Sequence, residues 1–164
     1  MMKNKVLLKV VIIFLFIILF SFCDFIVLEK IYKPLSAEYS IPWNAFEIIV
    51  GGVNLMWWAV AFFVLIFATF ILLGIAMLDW KVSVAGILLF MAGWEDIFYY
   101  IIQGQWLPAT LDWLDASPLM TLSRFVTGTE HVSGLGVLIT GIIGLAIVVV
   151  LFRKDIFEKK TKKR

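Results

Sequence analysis

The sequence has little of what a disulfide-bonded domain or a common soluble enzyme needs. It contains one cysteine, Cys23, and one histidine, His131. A single cysteine excludes an intramolecular disulfide, a Cys-x-x-Cys redox pair and a thiolate metal site within one chain. Glycine-rich nucleotide loops, a Gly-x-Ser-x-Gly nucleophile and a His-Glu-x-x-His motif are also absent. The sequence therefore predicts neither a reaction type nor catalytic residues.

Charged residues are scarce as well. They make up 16% of the chain, against 63% hydrophobic residues, whereas soluble domains average about 25% charged and about 45–50% apolar. A soluble fold of 164 residues could not bury so much apolar surface. We therefore expect a single transmembrane domain, residues 1–164, that lies in the cell membrane with the lipid bilayer as its main partner.

Four apolar segments reach the roughly 20 residues that cross a hydrocarbon core. They cover about residues 10–28, 48–78, 82–102 and 132–152, and the second is so long that it must tilt or project. The first also resembles a signal peptide, but its apolar run continues past Cys23, so we expect it to be retained. The sequence thus predicts an all-α bundle of four transmembrane helices.

Lysine and arginine are distributed unevenly around these segments. Three lysines precede the first segment, Lys81 separates the second from the third, and seven basic residues lie in the tail, residues 153–164. The opposite side has only Lys30, Lys33 and Arg124. The positive-inside rule therefore predicts that both termini are cytoplasmic. The basic tail is typical of a stretch that contacts anionic lipid, and we expect no nucleic-acid partner.

The connections follow from this topology. The short sequence at 79–81 predicts a tight cytoplasmic turn, so that the second and third spans form an antiparallel hairpin. In the first outer loop, residues 29–47, Pro34 and Pro42 argue against one continuous helix. The second outer loop, residues 104–130, alternates apolar and acidic residues and contains two prolines. It predicts one or two short amphipathic helices on the outer membrane surface or folded back over the bundle.

Acidic residues inside the spans converge on one level. With a rise of about 1.5 Å per residue, Asp24 lies about 21 Å above the cytoplasmic end of the first span. Glu95 and Asp96 lie at about the same height in the third span, and Thr140 falls at about 18 Å in the fourth. Ionisable groups in a membrane span usually face the bundle interior or water. We therefore expect these side chains to meet inside the bundle.

A polar stripe leads from this level towards the outside. Four residues of the third span have i, i+3, i+4 and i+7 spacing, which places them on one helix face: Asp96, Tyr99, Tyr100 and Gln103. The sequence therefore predicts an acidic polar site that opens outward. The candidate ligand- or cation-binding residues are Asp24, Glu95, Asp96, Tyr99, Tyr100, Gln103 and Thr140.

Several carboxylates cannot stay ionised together in this setting without compensation. The alternatives are a bound cation, a shared proton, or ion pairs with Lys30, Lys33 or Arg124. As a metal site, Glu95, Asp96, Glu130 and His131 would suit a hard divalent cation. By helical rise, however, His131 is about 11 Å shallower than Asp96.

Three function classes remain in competition: a binder of lipid or another apolar ligand, which would use the tryptophan and phenylalanine residues, and the two classes that follow. The first is a membrane protein that binds a cation, a proton or a small polar ligand at the acidic site. The second is a non-catalytic subunit or assembly partner of a larger membrane complex. For the second, the glycine-rich fourth span would support a homo- or hetero-oligomer. Its small-residue face consists of Ser133, Val137, Thr140, Gly141 and Gly144.

Overall fold

The computed structural model of the protein describes residues 2–40, 47–50, 53–115 and 118–157. This part of the chain is helical, as predicted, apart from one two-stranded hairpin. In chain order its elements are α1 (Met2–Phe25), a π-helical segment π1 (Ile26–Tyr32), α2 (Lys33–Tyr39), β1 (Glu47–Val50), β2 (Val53–Met56), α3 (Trp57–Ala76), α4 (Trp80–Leu89), a second π-helical segment π2 (Phe90–Trp94), α5 (Glu95–Gln103), a 3₁₀ turn (Asp112–Leu114), α6 (Pro118–Thr127), α7 (Gly134–Leu151) and α8 (Arg153–Phe157).

Three helices in the described residues are long and apolar enough to cross a membrane. They are Lys5–Tyr39, Trp80–Gln103 and Gly134–Leu151, and a shorter apolar helix covers Val60–Ala76. The first has 35 residues, about 50 Å of helix, which exceeds a hydrocarbon core of roughly 30 Å. One end of this helix must therefore project beyond the apolar layer of a membrane that it crosses.

The prediction that residues 29–47 do not form one continuous helix is confirmed, because the helix ends at Tyr39 and β1 begins at Glu47, but Pro34 does not end the helix. The helix continues through α2 to Tyr39, and Pro34 lies in the first turn of α2. In that turn the missing N–H of proline costs little. The preceding segment is π-helical, and its last bond runs from Lys33 N–H back to the Leu28 carbonyl. Pro42 lies outside the described residues.

The predicted second span was wrong at its beginning. Residues 47–56 contain the antiparallel strands β1 and β2, in which Glu47 is opposite Met56 and Val50 is opposite Val53. Helix α3 starts only at Trp57. β-branched residues cluster in β1, and such residues favour strands over helices. The apolar run that looked overlong for one helix is thus a hairpin followed by a helix of ordinary length.

The hairpin of α3 and α4 is confirmed. A Cβ atom built on Gly86 would lie 2.2 Å from the Phe70 ring, and one on Gly74 would lie 1.9 Å from the Ser83 hydroxyl. These pairings, with residue numbers falling on one helix as they rise on the other, show antiparallel packing. Asp79 caps the start of α4 by accepting a hydrogen bond from Lys81 N–H at 3.1 Å.

Two ion pairs join the helix ends on the side of this turn. Lys9 Nζ lies 2.5 Å from Asp79 Oδ2, and Lys81 Nζ lies 2.5 Å from Asp155 Oδ2. The beginning of α1, the α3–α4 turn and α8 therefore meet at one end of the molecule. It follows that α1 and the α4–α5 helix run in the same direction, whereas α3 and α7 run in the other.

Helix α7 packs within the chain through its glycine face. Cβ atoms built on Gly144 and Gly141 would lie 2.7 Å from Ala92 and 3.2 Å from Ile97, respectively. Close approach of backbones is the usual reason for such a face. Ser133 caps α7 by accepting from Gly136 N–H. The helix therefore begins at Gly134, after Glu130 and His131 rather than at them.

Helix α6 folds back over the bundle and lies antiparallel to the first half of α7. The Ser123 side chain lies against Gly136, and the Met120 methyl group lies against Gly93. Met120 is almost fully buried and belongs to an apolar cluster with Ile97, Leu111 and Val137. This cluster covers part of α5, on the far side of the molecule from the α3–α4 turn.

The long helix that contains α4 and α5 is broken in its middle. Gly93 has φ 91° and ψ 12°, which is not helical geometry, and L-amino acids with a side chain adopt positive φ only at a cost. The chain becomes helical again at Glu95, the first residue of α5. The predicted third span is therefore two half-helices, and Glu95 and Asp96 form the first turn of the second one.

Candidate functional site

Asp24 and Glu95 place two carboxyl groups inside the bundle. Only 9% of Asp24 and 8% of Glu95 is exposed. In the described part of the chain, Asp24 Oδ1 and Glu95 Oε1 are buried without a hydrogen-bond partner. Buried carboxyl oxygens are normally hydrogen-bonded, and an exception calls for a strain, catalytic or ligand-based reason.

The inner face of α1 directs Asp24 into the bundle. Ile13, Ile17 and Ser21 are fully buried, and Asp24 continues their i, i+3/i+4 spacing. The Ser21 hydroxyl lies 3.0 Å from the carbonyl oxygen of Glu95. The depth estimate from the sequence thus agrees with the structure, which brings Asp24 and Glu95 to one level.

The helix break positions Glu95 and Asp96. Without a helical residue at Gly93, carbonyl groups before the break lose their intrahelical partners. The Thr140 hydroxyl lies 3.2 Å from one of these, the Ala92 carbonyl. On the other side of the break, the Trp94 indole N–H donates to the Gly141 carbonyl at 3.0 Å. Helix α7 therefore holds both sides of the break in place.

Thr140 lies at the predicted level, but its hydroxyl is engaged with backbone. Besides Ala92, the carbonyl oxygens of Gly136 and Val137 lie within 3.0 Å of it. These contacts give Thr140 a role in supporting the helix break. A direct contact between Thr140 and a ligand stays a prediction.

The carboxyl groups of Asp24, Glu95 and Asp96 interact electrostatically with one another. Lys30, Lys33 and Arg124 were the sequence candidates for neutralising them, and the structure gives all three other contacts. Lys33 pairs with Glu29, Lys30 Nζ lies 5.5 Å from the centre of the Phe25 ring, and Arg124 Nη1 donates to the Glu130 carbonyl at 3.4 Å.

A polar group centred on Glu29 lies on the side of this cluster that faces away from the α3–α4 turn. Glu29 Oε1 accepts hydrogen bonds from the Tyr99 hydroxyl and from Gln103 Nε2, both at 3.1 Å, and forms an ion pair with Lys33. The predicted polar stripe therefore contacts π1 through Tyr99 and Gln103. Tyr100 is buried in the apolar cluster that contains Met120.

Glu29 was not among the sequence candidates. The signal that could have found it is the i, i+4 spacing of Glu29 and Lys33, which is favourable on a helix. The predicted first span ended at about residue 28, so Glu29 fell in the first outer loop. Residues five positions apart on an α-helix are about 140° apart around the axis, so regular α-helical geometry would not place Glu29 on the same face as Asp24.

A second group of potential ligands lies near the start of α7. His131 Nδ1 is 2.7 Å from Asp115 Oδ2 and 3.8 Å from Asp112 Oδ1. One potential ligand atom from each residue lies within 4.8 Å of the others, and these three form the one such His/Cys/Asp/Glu group found among the described residues. Asp112 and Asp115 were not predicted as ligands, because loop folding decides their distance to His131. The predicted metal set with Glu95, Asp96, Glu130 and His131 stays a prediction.

Asp115 connects the segment after α5 to the residues just before α7 through hydrogen bonds. Its Oδ1 accepts a hydrogen bond from Val132 N–H at 2.7 Å, and Leu111 N–H donates to the Val132 carbonyl at 2.7 Å. The hydrogen bond with His131 is the main cause that lowers the pKa of Asp115 below 3.8. The same hydrogen bond raises the pKa of His131 above 6.5.

We expect the His131–Asp115 pair to stabilise the loop most between these two values. The stabilisation from His131 is complete below pH 6.5 and is lost as the pH rises through its raised pKa. The stabilisation from Asp115 is complete above pH 3.8 and is lost as the pH falls through its lowered pKa. An NMR titration of the single imidazole should give a midpoint above 6.5, and Asp115→Asn should move the midpoint down.

Glu130→Gln is the matched control for that titration. Glu130 also raises the pKa of His131, but it is the weakest of the causes. Glu130→Gln should therefore lower the midpoint of the His131 titration less than Asp115→Asn does. Equal shifts from both variants would contradict the short contact between His131 and Asp115.

Comparison with known proteins adds no family. No protein-family model, curated protein or solved structure matches this chain. Function is therefore inferred from the side chains and their arrangement.

Proposed function

We propose that the protein spans the membrane four times, with both termini in the cytoplasm, and reversibly binds a metal cation at Asp24, Glu95 and Asp96. Protons compete for the same carboxyl groups. The observation that carries the proposal is the pair of buried carboxyl oxygens, on Asp24 and Glu95, that have no hydrogen-bond partner in the described part of the chain.

The distribution of charge supports the proposed orientation. One end of the molecule contains Lys9, Lys81 and α8, and α8 is the first part of the basic tail, residues 153–164. Cytoplasmic ends of spans carry an excess of lysine and arginine. We count α3 as a span in addition to the three longer helices. The helix directions described above then give a chain that crosses the membrane four times in alternating directions.

A cation explains why three acids share one interior level. An isolated ionised carboxylate is costly to bury, and a nearby like charge increases the cost. Hydrogen bonds to neutral groups do not provide the missing charge. A cation held between the carboxyl groups offsets part of their charge and supplies the partner that Asp24 Oδ1 and Glu95 Oε1 lack in the described part of the chain.

The break at Gly93 further supports cation binding. Membrane transporters commonly bind ions where a spanning helix is interrupted near the bilayer midplane, because the unwound backbone exposes carbonyl oxygens there. In this protein the interruption directly precedes Glu95. Irregular backbone at membrane depth is tolerated where it is buried in protein or lines a cavity.

Carbodiimide labelling tests the proposal on the purified protein in detergent. Dicyclohexylcarbodiimide is an apolar reagent that adds to protonated carboxyl groups, and mass spectrometry locates the adduct. We expect adducts at Asp24 or Glu95. We expect at least one of Na⁺, Mg²⁺, Ca²⁺ and Mn²⁺ to suppress labelling in a concentration-dependent way, because a bound cation displaces the proton. Glu95→Gln should remove that protection from Asp24.

Glu38→Gln provides the control, because Glu38 is an exposed acid on α2. It should leave both labelling and protection unchanged. Labelling that responds to pH but to none of the four cations would overturn the proposal, and so would unchanged protection in Glu95→Gln.

A further inference from the structure

Glu29 and its partners form a second polar group on the outer side of the carboxyl cluster. The Glu29 carboxylate accepts hydrogen bonds from Tyr99 and Gln103 on α5 and forms an ion pair with Lys33 on α2. Tyr99 and Gln103 are separated by one helical turn, so both reach the same oxygen atom of Glu29. The arrangement holds one ammonium group against one well-oriented carboxylate.

The π-helical geometry of π1 explains how Glu29 reaches this position. In an α-helix, a residue five positions after Asp24 would point about 140° away from it. A π-helix closes its hydrogen bonds between residues i and i+5, so that each turn contains more residues. Glu29 thereby turns back towards α5. π-helical turns occur often at functional sites.

Tyr99 links the two polar groups. It donates its hydroxyl hydrogen to Glu29, and it also interacts electrostatically with Asp24. Phe25 directly follows Asp24 in the chain, and its ring contacts the Tyr99 ring with 6.3 Å between the ring centres. Glu29 and Asp24 therefore both lie near the same tyrosine.

The ammonium group of Lys33 is the replaceable member of the group. The Lys33 side chain is 57% exposed, whereas that of Glu29 is 22% exposed. Lys33 can therefore turn into solvent while Glu29 stays in place against α5. The position that the Lys33 ammonium group vacates is next to the Glu29 carboxylate, which is already oriented to hold a positive charge.

From these contacts we propose that Glu29, Tyr99 and Gln103 form an outer cation subsite, which the ammonium group of Lys33 occupies until a metal cation displaces it. This inference rests on the proposed function, because the subsite is the entry point to the inner carboxyl groups. Lys33 then acts as a tethered competitor of the incoming cation, and Glu29 as its first ligand.

The test measures the midpoint of cation protection against dicyclohexylcarbodiimide in two variants of the full chain. It uses whichever of the four cations protects the wild type. Lys33→Met removes the competitor and should lower the midpoint about five-fold, while Glu29→Gln removes the first ligand and should raise it by a similar factor, the size expected for a partly exposed ion pair. In the double variant, Lys33→Met should have no further effect. Lys9→Met removes a similar ion pair at the opposite end and should leave the midpoint unchanged.

The outcomes separate this inference from the proposed function. Absence of protection in the wild type would overturn both. A second outcome would overturn the subsite alone. In it, cations protect the wild type, but the midpoints of Glu29→Gln and Lys33→Met lie within two-fold of the wild-type midpoint. Shifts in the same direction for both variants would also overturn it, because they would show that Glu29 and Lys33 form a purely structural ion pair.

Discussion

Gly93→Ala should lower the free energy of unfolding by about 2–6 kcal/mol, the combined cost of a side chain at positive φ and of overpacking. Gly93 has φ 91°, and a Cβ atom there would lie 2.7 Å from Val137 Cγ1 and 2.9 Å from Met120 Cε. The methyl group of Met120 can move, whereas Val137 is branched and belongs to α7. Denaturant titration of the protein in detergent measures the change.

Two other glycines separate the backbone cost from the packing cost. Gly104 has φ 70° and Gly128 has φ 66°, and neither has an atom within 4 Å of an added Cβ. Gly104→Ala and Gly128→Ala should therefore show the backbone cost alone. Met120→Ala combined with Gly93→Ala should recover part of the packing cost. If Gly93→Ala destabilises no more than Gly104→Ala, the contacts of π2 with α6 and α7 are not as described.

The parts of the structure that the sequence predicts are those set by local geometry. Helical rise is nearly constant, so counting residues correctly brings Asp24 and Glu95 to one level. The tight turn near Asp79 is also local, because the chain must reverse between two apolar helices. Neither result requires knowledge of how distant segments pack.

Backbone choices that compete with a simple apolar pattern were not predictable. Residues 48–56 are as apolar as a membrane helix, and the signals that favour a hairpin are the β-branched residues and the Gly51-Gly52 pair between two apolar runs. Gly93 lies in an apolar run where a glycine is tolerated in a helix, and nothing in that run indicates its positive φ. At Pro34, a π-helical turn removed the break that proline usually causes.

Long-range partners of the polar residues were the least predictable feature. His131 was considered with Glu130, its neighbour in sequence, yet its contacts are with Asp115 and Asp112 across a loop. A loop without regular periodicity gives no information on which of its residues approach the next helix. For Glu29 the obstacle was different, since the predicted first span followed the apolar run and ended at about residue 28, whereas the helix continues through π1.

Glu95→Met should increase the free energy of unfolding while abolishing cation protection. The substitution keeps the length of the side chain and removes a buried oxygen that has no hydrogen-bond partner in the described part of the chain. Removing such a group relieves a desolvation penalty of about 1–3 kcal/mol. Proteins often carry a destabilising group where function requires it, so that stability and activity change in opposite directions.

Thr140→Val is the matched comparison for this second prediction, because Thr140 is equally buried but has hydrogen-bond partners. It should lower the free energy of unfolding by about 1 kcal/mol. Opposite signs for the two variants in one denaturant titration would show that Glu95 is retained against stability, as expected for a ligand-binding group. If Glu95→Met destabilises the protein as Thr140→Val does, Glu95 supports the fold, and the cation site loses its central residue.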